Sequence, residues 1–239
     1  MTDAHCHVSC GDSSVRELLV GRDFFGVHPW ETLDDGTTGT GGTTETRRAL
    51  VPDIPVVPDV SSLAALLATL RAKLLDYPNA GVGEIGLDRL KSRDISPRMR
   101  EVFEAQLALA LELGRPVVLH GAKCWGQVVA AVKVQGAEAP GSRFLFHGFS
   151  RSDGLIPEIV KLNGFISVGP AILNDHAVNY RELVKKIPLD RLLVETDRTS
   201  SDSPSISDVL AKTADILNLS AAELERITDE NADRFLGAV

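Results

Sequence analysis

Short apolar runs alternate along the chain with longer segments of helical periodicity. Each run is five residues long and rich in Val, Ile, Leu and Phe, which is typical of a strand buried on both faces. Eight strands are predicted, at Asp3–His7, Arg16–Val20, Phe24–His28, Gly81–Ile85, Pro116–His120, Arg143–His147, Gly164–Val168 and Arg191–Glu195. Seven helices are predicted, at Leu63–Tyr77, Pro97–Leu113, Trp125–Val134, Leu155–Asn163, Tyr180–Ile187, Ile206–Leu217 and Ala221–Phe235.

The alternation of strands and helices predicts parallel strands joined by right-handed crossovers. Eight strands with enclosing helices favour an α/β fold of the closed TIM (β/α)8 barrel type over an open sheet. The first β/α units must be abbreviated, because the chain between His7 and Phe24 has no room for two full helical crossovers. The Gly- and Thr-rich stretch 34–48 is predicted to be a mobile surface loop. Since no repeat or linker divides the chain, a single barrel domain is predicted over residues 1–239.

Five of the eight predicted strands end in a side chain that can bind a metal ion. In a parallel barrel the carboxyl ends of the strands lie on one face, where the catalytic residues of this fold are found. Positions i and i+2 of a strand point the same way, so His5 and His7 can share one ion. Although they are far apart in the sequence, we expect all the strand-end residues to converge at the barrel mouth. They are His5, His7, Glu84, His120, His147 and Asp197.

The mixed nitrogen and oxygen character of these side chains suits Zn²⁺, Mn²⁺, Fe²⁺ or Co²⁺ better than Ca²⁺. Four histidines and two carboxylates exceed the four ligands of one structural zinc, which suggests two ions roughly 3.5–4 Å apart. Asp197 can also take the proton from an attacking water molecule. The predicted ligand sets, which share Glu84 as a bridge, are His5, His7 and Asp197 for one ion and His120 and His147 for the other.

Each of these motifs, taken singly, has an ordinary structural explanation. A His-x-His on a strand is most often a matter of packing, and a lone core histidine is usually satisfied by hydrogen bonds. Glu-Thr-Asp after a strand can be a turn with Asp as a helix cap. The joint occurrence of all six residues at strand ends is what these explanations leave unaccounted for.

Composition and charge narrow the class of protein. The chain is 44% apolar and 24% charged, which is ordinary globular composition. Its net charge of −8 disfavours a non-specific nucleic-acid coat, but not an enzyme whose phosphate affinity is confined to one site. We find no apolar run of the roughly 18–20 residues that a membrane span needs, no signal peptide and no disulfide framework. A cytoplasmic location is therefore expected, with no membrane and no stable protein partner.

Six motifs in order resemble the TatD-type metal-dependent deoxyribonucleases, which are members of the amidohydrolase-like barrel superfamily. The resemblance extends from Asp3 to Phe235. It implies a (β/α)8 barrel with a divalent-metal centre, holding Mg, Mn or Zn, that hydrolyses DNA phosphodiester bonds, often from the 3′ end. The ligands that it implies are the same six strand-end residues. The motifs are Asp-Ala-His-Cys-His at 3–7, Gly-Val-His-Pro-Trp at 26–30, Val-Gly-Glu-Ile-Gly-Leu-Asp at 82–88, Pro-Val-Val-Leu-His at 116–120, Phe-His-Gly-Phe-Ser at 146–150 and Leu-Val-Glu-Thr-Asp at 193–197.

Two loops depart from the family pattern. Many members follow the histidine of the 116–120 motif with Ser-Arg, whereas this chain has Gly-Ala-Lys-Cys-Trp at 121–125. Many also follow Glu-Thr-Asp with a small residue and Pro, whereas this chain has Arg-Thr-Ser at 198–200. These changes bear on the choice of substrate rather than on the metal centre.

Four further residues near the strand ends are candidate substrate contacts. His28 ends the third predicted strand and is as well suited to contacting substrate or orienting a ligand as to making a structural hydrogen bond. The basic residues Lys123, Arg151 and Arg198 each follow a ligand-bearing strand by one to four residues, where they can meet a phosphate or be solvated loop charges. Trp125 can stack on a base, but at the start of an amphipathic helix we expect it to pack.

Three functions are consistent with these features. The leading one is a TatD-like 3′–5′ deoxyribonuclease, with DNA as substrate and with Glu84 and Asp197 as catalytic residues. The second keeps the metal centre but hydrolyses a C–N or ester bond of a small molecule, which the negative charge and the altered loops favour. The third is a non-catalytic barrel that acts as a binding partner. The complete ligand set disfavours this third function. An open groove flanked by Lys123, Arg151 and Arg198 would support DNA.

Overall fold

The computed structural model describes residues 1–32, 62–91, 93–135 and 141–237. Its strands are β1 Thr2–Cys6, β2 Arg16–Leu19, β3 Phe24–Phe25, β4 Gly81–Asp88, β5 Val117–Ala122, β6 Phe144–Phe146, β7 Gly164–Val168 and β8 Leu192–Val194. Its α-helices are α1 Leu63–Asp76, α2 Pro97–Glu112, α3 Trp125–Val134, α4 Ile156–Lys161, α5 Val178–Val184, α6 Ile206–Leu217 and α7 Ala221–Leu236. Short 3-10 helices occupy Pro29–Thr32, Asp153–Leu155, Pro170–Leu173 and Leu189–Arg191.

All neighbouring strands pair in parallel, in the order in which they occur along the chain. β1 pairs with β2, and β3 to β8 form one six-stranded sheet. A parallel bridge between Val20 and Phe24 joins the end of β2 to β3. On the other side, the backbone N–H of Asp197 after β8 donates to the carbonyl of His5 on β1 over 3.0 Å. These links close the ring, and the predicted (β/α)8 barrel is confirmed.

The abbreviated first units are also confirmed. No helix interrupts the nine residues between β1 and β2 or the four residues between β2 and β3. β4 and β5 run further than predicted, to Asp88 and Ala122, because these two residues are themselves paired. The stretch 34–48, expected to be a surface loop, lies outside the described residues.

Serine caps mark where several helices begin. α1, α2, α6 and α7 each follow a serine whose Oγ accepts the backbone N–H three residues later, which satisfies a donor that the helix leaves unpaired. Gly237 ends α7 in the left-handed conformation. Among the described helices, none combines the length and apolar character that a membrane crossing requires.

A small cluster of buried apolar side chains fills one end of the barrel interior. It takes one residue from each of seven strands and two from α7, so it can lie only inside the ring. Phe235 of α7 closes this end, with its ring centre 5.9 Å from that of Phe24. A larger cluster packs the outer faces of the strands against the helices. The inner cluster is Ala4, Leu18, Phe24, Val118, Leu145, Phe165, Leu193, Ala232 and Phe235.

A polar layer lies directly above this apolar plug. Side chains two positions apart on a strand share a face, so the residue two positions after a plug residue also points into the barrel. On β5 to β8 and the residues just after them, this rule places four polar side chains in one layer. They are His120 after Val118, His147 after Leu145, Ser167 after Phe165 and Glu195 after Leu193.

Gly86 on β4 lies opposite His120 of this layer, where the two strands approach closely. It has a φ of +152°, and a Cβ added there would lie 2.0 Å from the carbonyl oxygen of His120. We therefore expect Gly86→Ala to destabilise the protein by roughly 1–3 kcal/mol, the usual cost of overpacking. In thermal melts this loss corresponds to a melting temperature lower by several degrees.

Gly126→Ala is the matched control, because nothing lies within 4 Å of the Cβ it would add on α3. Since alanine is the better helix former, the control should melt at the wild-type temperature or slightly above it. Equal melting temperatures for the two variants would contradict the close approach of β4 to His120.

Candidate metal centre

One buried carboxylate, that of Glu84 on β4, lies at the centre of the polar layer. Its residue is 4% exposed, and five of the chain's six histidines turn a ring nitrogen toward it. The sixth, His176, lies exposed in the loop before α5. The nitrogen-to-oxygen distances are 3.4 Å for His5 and for His7, 3.5 Å for His28, 2.5 Å for His120 and 2.6 Å for His147.

The two oxygens of Glu84 face different partners. Oε2 faces the Nε2 atoms of His5 and His7, at 3.4 Å each. The Oδ1 atom of Asp197 joins this side, 3.4 Å from His7 Nε2 and 3.8 Å from His5 Nε2. β1 supplies His5, His7 follows it directly, and Asp197 follows β8, so the first group of ligand atoms forms where the barrel closes.

The second group surrounds Oε1 of Glu84. His120 approaches it with Nδ1 and His147 with Nε2, and these two nitrogens are 3.2 Å apart. His120 lies on β5 and His147 directly follows β6, so this group occupies the next strands around the ring. The structure thus brings all six predicted strand-end residues together, with Glu84 shared between the two groups.

The spacing and burial of the first group fit a divalent cation. Metal–ligand bonds of about 2.1 Å place the ligand atoms of one ion about 3.0–3.4 Å apart. The ring of His5 is completely buried, and neither of its nitrogens has a hydrogen-bond partner within the described residues. Because an unpaired buried polar group is costly, a ligand for His5 Nε2 is expected. An ion between His5, His7 and the two carboxylates would satisfy it.

The charges of the centre compensate one another in the metal-free state. Burial by itself raises the pKa of Glu84, but the charge of His147 and hydrogen bonds from His120 and His147 outweigh it and hold this pKa well below its usual value. Burial by itself lowers the pKa of His7, but hydrogen bonds with Asp197 and Glu84 raise it to about 9. Protons on the imidazoles therefore balance the buried carboxylate, and a divalent cation can replace them.

Two further carboxylates lie beside the imidazoles of the second group. Asp88 Oδ2 lies 2.7 Å from Nε2 of His120, which leaves Nδ1 of that ring turned toward Glu84. Glu195 Oε1 lies 3.6 Å from Nδ1 of His147, and its other oxygen accepts the Ser167 hydroxyl over 2.5 Å. The hydrogen bond with Asp88 selects the tautomer of His120 and fixes the direction of its lone pair, whereas Nδ1 of His147 makes no hydrogen bond within the described residues.

Sequence reasoning missed both of these carboxylates. Asp88 closes the Gly-Leu-Asp sequence of β4, and Glu195 stands two positions before Asp197. The i, i+2 rule that selected the ligands also places Glu195 in the barrel interior, so this signal was available. Asp88 had no comparable signal, because its contact with His120 depends on how far β4 and β5 remain paired.

His28 lies inside the centre, although the strand predicted over 24–28 ends at Phe25. It precedes the 3-10 helix Pro29–Thr32, and its Nδ1 accepts the backbone N–H of Trp30 over 3.1 Å. Since Nδ1 is an acceptor, the neutral ring carries its proton on Nε2, which faces Glu84 Oε1. Burial lowers the pKa of His28 and so favours this neutral form. The ring presents an N–H donor to the site.

The three basic candidates lie around the centre rather than in it. Lys123 and Arg151 are exposed on the loops after β5 and β6, both with a positive φ. Arg198 is 8% exposed, and its Nη2 donates to the carbonyl of Pro204 over 3.3 Å. In the part of the chain that the structure describes, none of their side chains bonds to the six clustered residues. Trp125 is buried, and its expected packing role is confirmed.

The chain matches known proteins over most of its length. The sequence model of the family described as TatD related DNase matches residues 21–237, a range that begins after His5 and His7. The solved structure entitled "Crystal structure of YJJV, TATD Homolog from Escherichia coli k12" is 26% identical, with a TM-score of 0.63 over 72% of this chain and 70% of that chain.

Two curated relatives carry names that refer to hydrolysis. "Uncharacterized metal-dependent hydrolase YabD" of Bacillus subtilis (strain 168) is 34% identical over 164 residues, which are 64% of each protein. "3'-5' ssDNA/RNA exonuclease TatD" of Klebsiella pneumoniae (strain 342) is 34% identical over 117 residues, which are 48% of this chain and 44% of that protein. The chain thus spans about two thirds or less of the length of these relatives. By the match over residues 21–237, the chain belongs to the TatD related DNase family.

Proposed function

We propose that the chain is a metal-dependent hydrolase that cleaves phosphodiester bonds of DNA and releases nucleotides from the 3′ end. The observation that carries this proposal is the division of one carboxylate, Glu84, between two groups of ligand atoms. A carboxylate in this position can bridge two divalent ions, the arrangement that clamps the attacking and leaving oxygens of a phosphoryl group. Family membership and the name of the Klebsiella relative support nucleic acid as the substrate.

The proposed cofactor is a pair of divalent ions, Mg²⁺, Mn²⁺ or Zn²⁺. When bound, the ions lower the pKa of water and offset the negative charge of the phosphoryl group. Asp88 holds the His120 imidazole with Nδ1 turned toward the site, and Glu195 lies 3.6 Å from the outer nitrogen of His147. The proposed ligands are His5, His7 and Asp197 for one ion and His120 and His147 for the other, with Glu84 shared.

Asp197 is the proposed acceptor of the proton from the attacking water molecule. Burial by itself raises the pKa of Asp197, but a hydrogen bond with His7 and the charge of His147 outweigh it and lower this pKa. The carboxylate is therefore ionised at neutral pH. Its side chain is 48% exposed, so it can meet both water and substrate. An ionised carboxylate that meets water can accept a proton from it.

The remaining proposed contacts bind the substrate. The Nε2–H of His28 is placed to donate to a phosphoryl oxygen, because its Nδ1 is already occupied by the backbone of Trp30. Lys123 and Arg151 are proposed to meet phosphates from the loops after β5 and β6. Arg198 is proposed to act with them from the loop after β8, where its guanidinium is anchored on Pro204.

The activity depends on Glu84 under this proposal. Glu84→Gln keeps the shape of the side chain but removes the charge that both ions share, so nucleotide release should fall by at least about 100-fold. The measurement is the shortening of a 5′-labelled single-stranded oligonucleotide with Mn²⁺, which reports nucleotides removed from its 3′ end. Glu101→Gln, on the exposed face of α2, is the matched control and should retain wild-type activity.

Retention of most of the activity in Glu84→Gln would contradict the shared-carboxylate mechanism. A wild-type protein that releases no nucleotides with Mg²⁺, Mn²⁺ or Zn²⁺ contradicts the nuclease proposal itself. Turnover of esters or amides by that protein would then favour the small-molecule hydrolase.

The raised pKa of His7 predicts that a rise in pH lowers the stability of the metal-free protein but increases the stabilisation that bound metal provides. His7 titrates at about 9 in the folded chain and at about 6.5 in the unfolded chain, so its stabilisation is complete below 6.5 and is lost as pH rises through 9. The EDTA-treated protein should therefore melt at a lower temperature at pH 9 than at pH 7. The corresponding loss in the free energy of unfolding is at most about 3 kcal/mol. Bound Zn²⁺ or Mn²⁺ competes with that proton, so the stabilisation by metal should grow over the same range.

Histidine variants separate this effect from general charge repulsion. His7→Asn should flatten the pH dependence of the metal-free protein, whereas His176→Asn, at the exposed histidine, should leave it unchanged. A metal-free wild type with equal melting temperatures at pH 7 and pH 9 is incompatible with the proposed proton on His7.

A further inference from the structure

A concentration of positive charge lies beside the metal centre in a chain that is acidic overall. The net charge is −8, yet residues 89–100, which follow β4, contain five basic residues and one acidic residue. Lys123 follows β5, the strand that pairs with β4. Four of these basic side chains are exposed and are called the basic rim below: Arg89, Lys91, Arg93 and Lys123.

Among the residues that the structure describes, the basic rim has no acidic partner, unlike most other basic residues. Within the described ranges, no salt bridge joins any of its four side chains to a carboxylate. The last two basic residues of the same segment are paired, Arg98 with Glu101 and Arg100 with Glu104. Elsewhere pairing is common, as in Arg71–Glu112, Lys133–Glu158, Lys186–Asp153 and Arg226–Glu230.

The basic rim begins one residue away from the metal centre. Asp88 bonds to the His120 ring, and Arg89 comes next in the chain. The Arg89 backbone N–H donates to the carbonyl of Ala122 over 3.0 Å, which continues the pairing of β4 with β5 and brings Arg89 next to Lys123. The four charges therefore lie at the mouth of the barrel, on the side of β4 and β5.

Two contacts hold two of these side chains, those of Arg89 and Lys91, in position. The Nε atom of Arg89 donates to the backbone carbonyl of Arg93 over 2.9 Å, a hydrogen bond that spans the loop. The ammonium of Lys91 lies 3.8 Å from the centre of the Trp30 ring, a cation–π distance. The backbone N–H of Trp30 also donates to Nδ1 of His28, whose ring faces Glu84. The side chains of Arg89 and Lys91 are thus held close to the metal centre, and no carboxylate of the described residues pairs with them.

We propose that the basic rim binds the phosphate backbone of a single nucleic-acid strand beyond the nucleotide that is being cleaved. This inference rests on the proposed function and extends it from the scissile bond to the length of the substrate. Exposed, unpaired cations in a row gain affinity by releasing the counterions of a polyanion. A small substrate that reaches only the metal ions would gain nothing from them. The basic rim therefore favours long strands over short ones.

The test compares two double variants with the same change in charge. Lys91→Gln/Arg93→Gln removes two charges of the basic rim but leaves Arg89 and its loop contact. Lys161→Gln/Lys185→Gln removes two charges where α4 and α5 end, at the face of the barrel opposite to the strand carboxyl ends. Each metal-loaded protein is titrated against a labelled 12-nucleotide single strand with phosphorothioate linkages that resist cleavage, between 50 and 200 mM salt.

The rim variant is expected to bind the strand about 10-fold more weakly at 50 mM salt. The slope of log affinity against log salt should become shallower by about 1.4, because each lost phosphate contact on a single strand contributes about 0.7. The control variant should keep the wild-type affinity and slope. Turnover of bis(4-nitrophenyl) phosphate, which is too small to reach the basic rim, should be the same in all three proteins.

The outcomes distinguish the inference from the proposed function. A rim variant with wild-type affinity and salt slope overturns the inference, even if the protein cleaves DNA. A protein that binds the strand through the basic rim but hydrolyses no phosphodiester refutes the proposed function and leaves the inference standing. Equal losses in the two double variants also overturn the inference, because general charge would then explain the binding.

Discussion

The structure depends on compensating one buried negative charge. Glu84 is almost fully enclosed, and an isolated carboxylate in such a place would be too costly to keep ionised. Five imidazoles surround it, and its pKa is held low by the charge of His147 and by hydrogen bonds despite the opposing effect of burial. Protons on the rings provide this compensation in the metal-free state. The proposed ions would provide it in the active state, which is why metal binding, proton release and stability are linked at this site.

The barrel satisfies this constraint through simple geometry. Apolar residues fill one end of the interior, and the alternation of side chains places polar residues two positions further along the same strands. The apolar plug thereby fixes the height of the polar layer, while pairing of β4 with β5 places His120 opposite Gly86, two positions after Glu84. Gly86 shows how closely these strands approach, since even one added carbon would collide with the His120 carbonyl.

Much of this architecture follows from the sequence, because each step depends on local pattern. Apolar runs and helical periodicity predict the eight strands and seven helices, and strand ends predict which side chains converge. The carboxylates beside the second-group imidazoles were harder to predict from the sequence. Asp88 reaches His120 only because β4 and β5 stay paired beyond their predicted ends, and that extension is set by tertiary pairing. The burial of Arg198 against Pro204 depends on how the loop after β8 folds back on itself, which the residue pattern did not indicate.

The central proposal is that Glu84 would be shared by two bound ions. Anomalous diffraction from crystals of the Mn²⁺-loaded protein tests it most directly, because it locates each ion independently of activity. The account predicts two peaks about 3.5–4 Å apart, one on each side of the Glu84 carboxylate, one near His5 and His7 and the other near His120 and His147. A single peak, or ions bound away from Glu84, would contradict it.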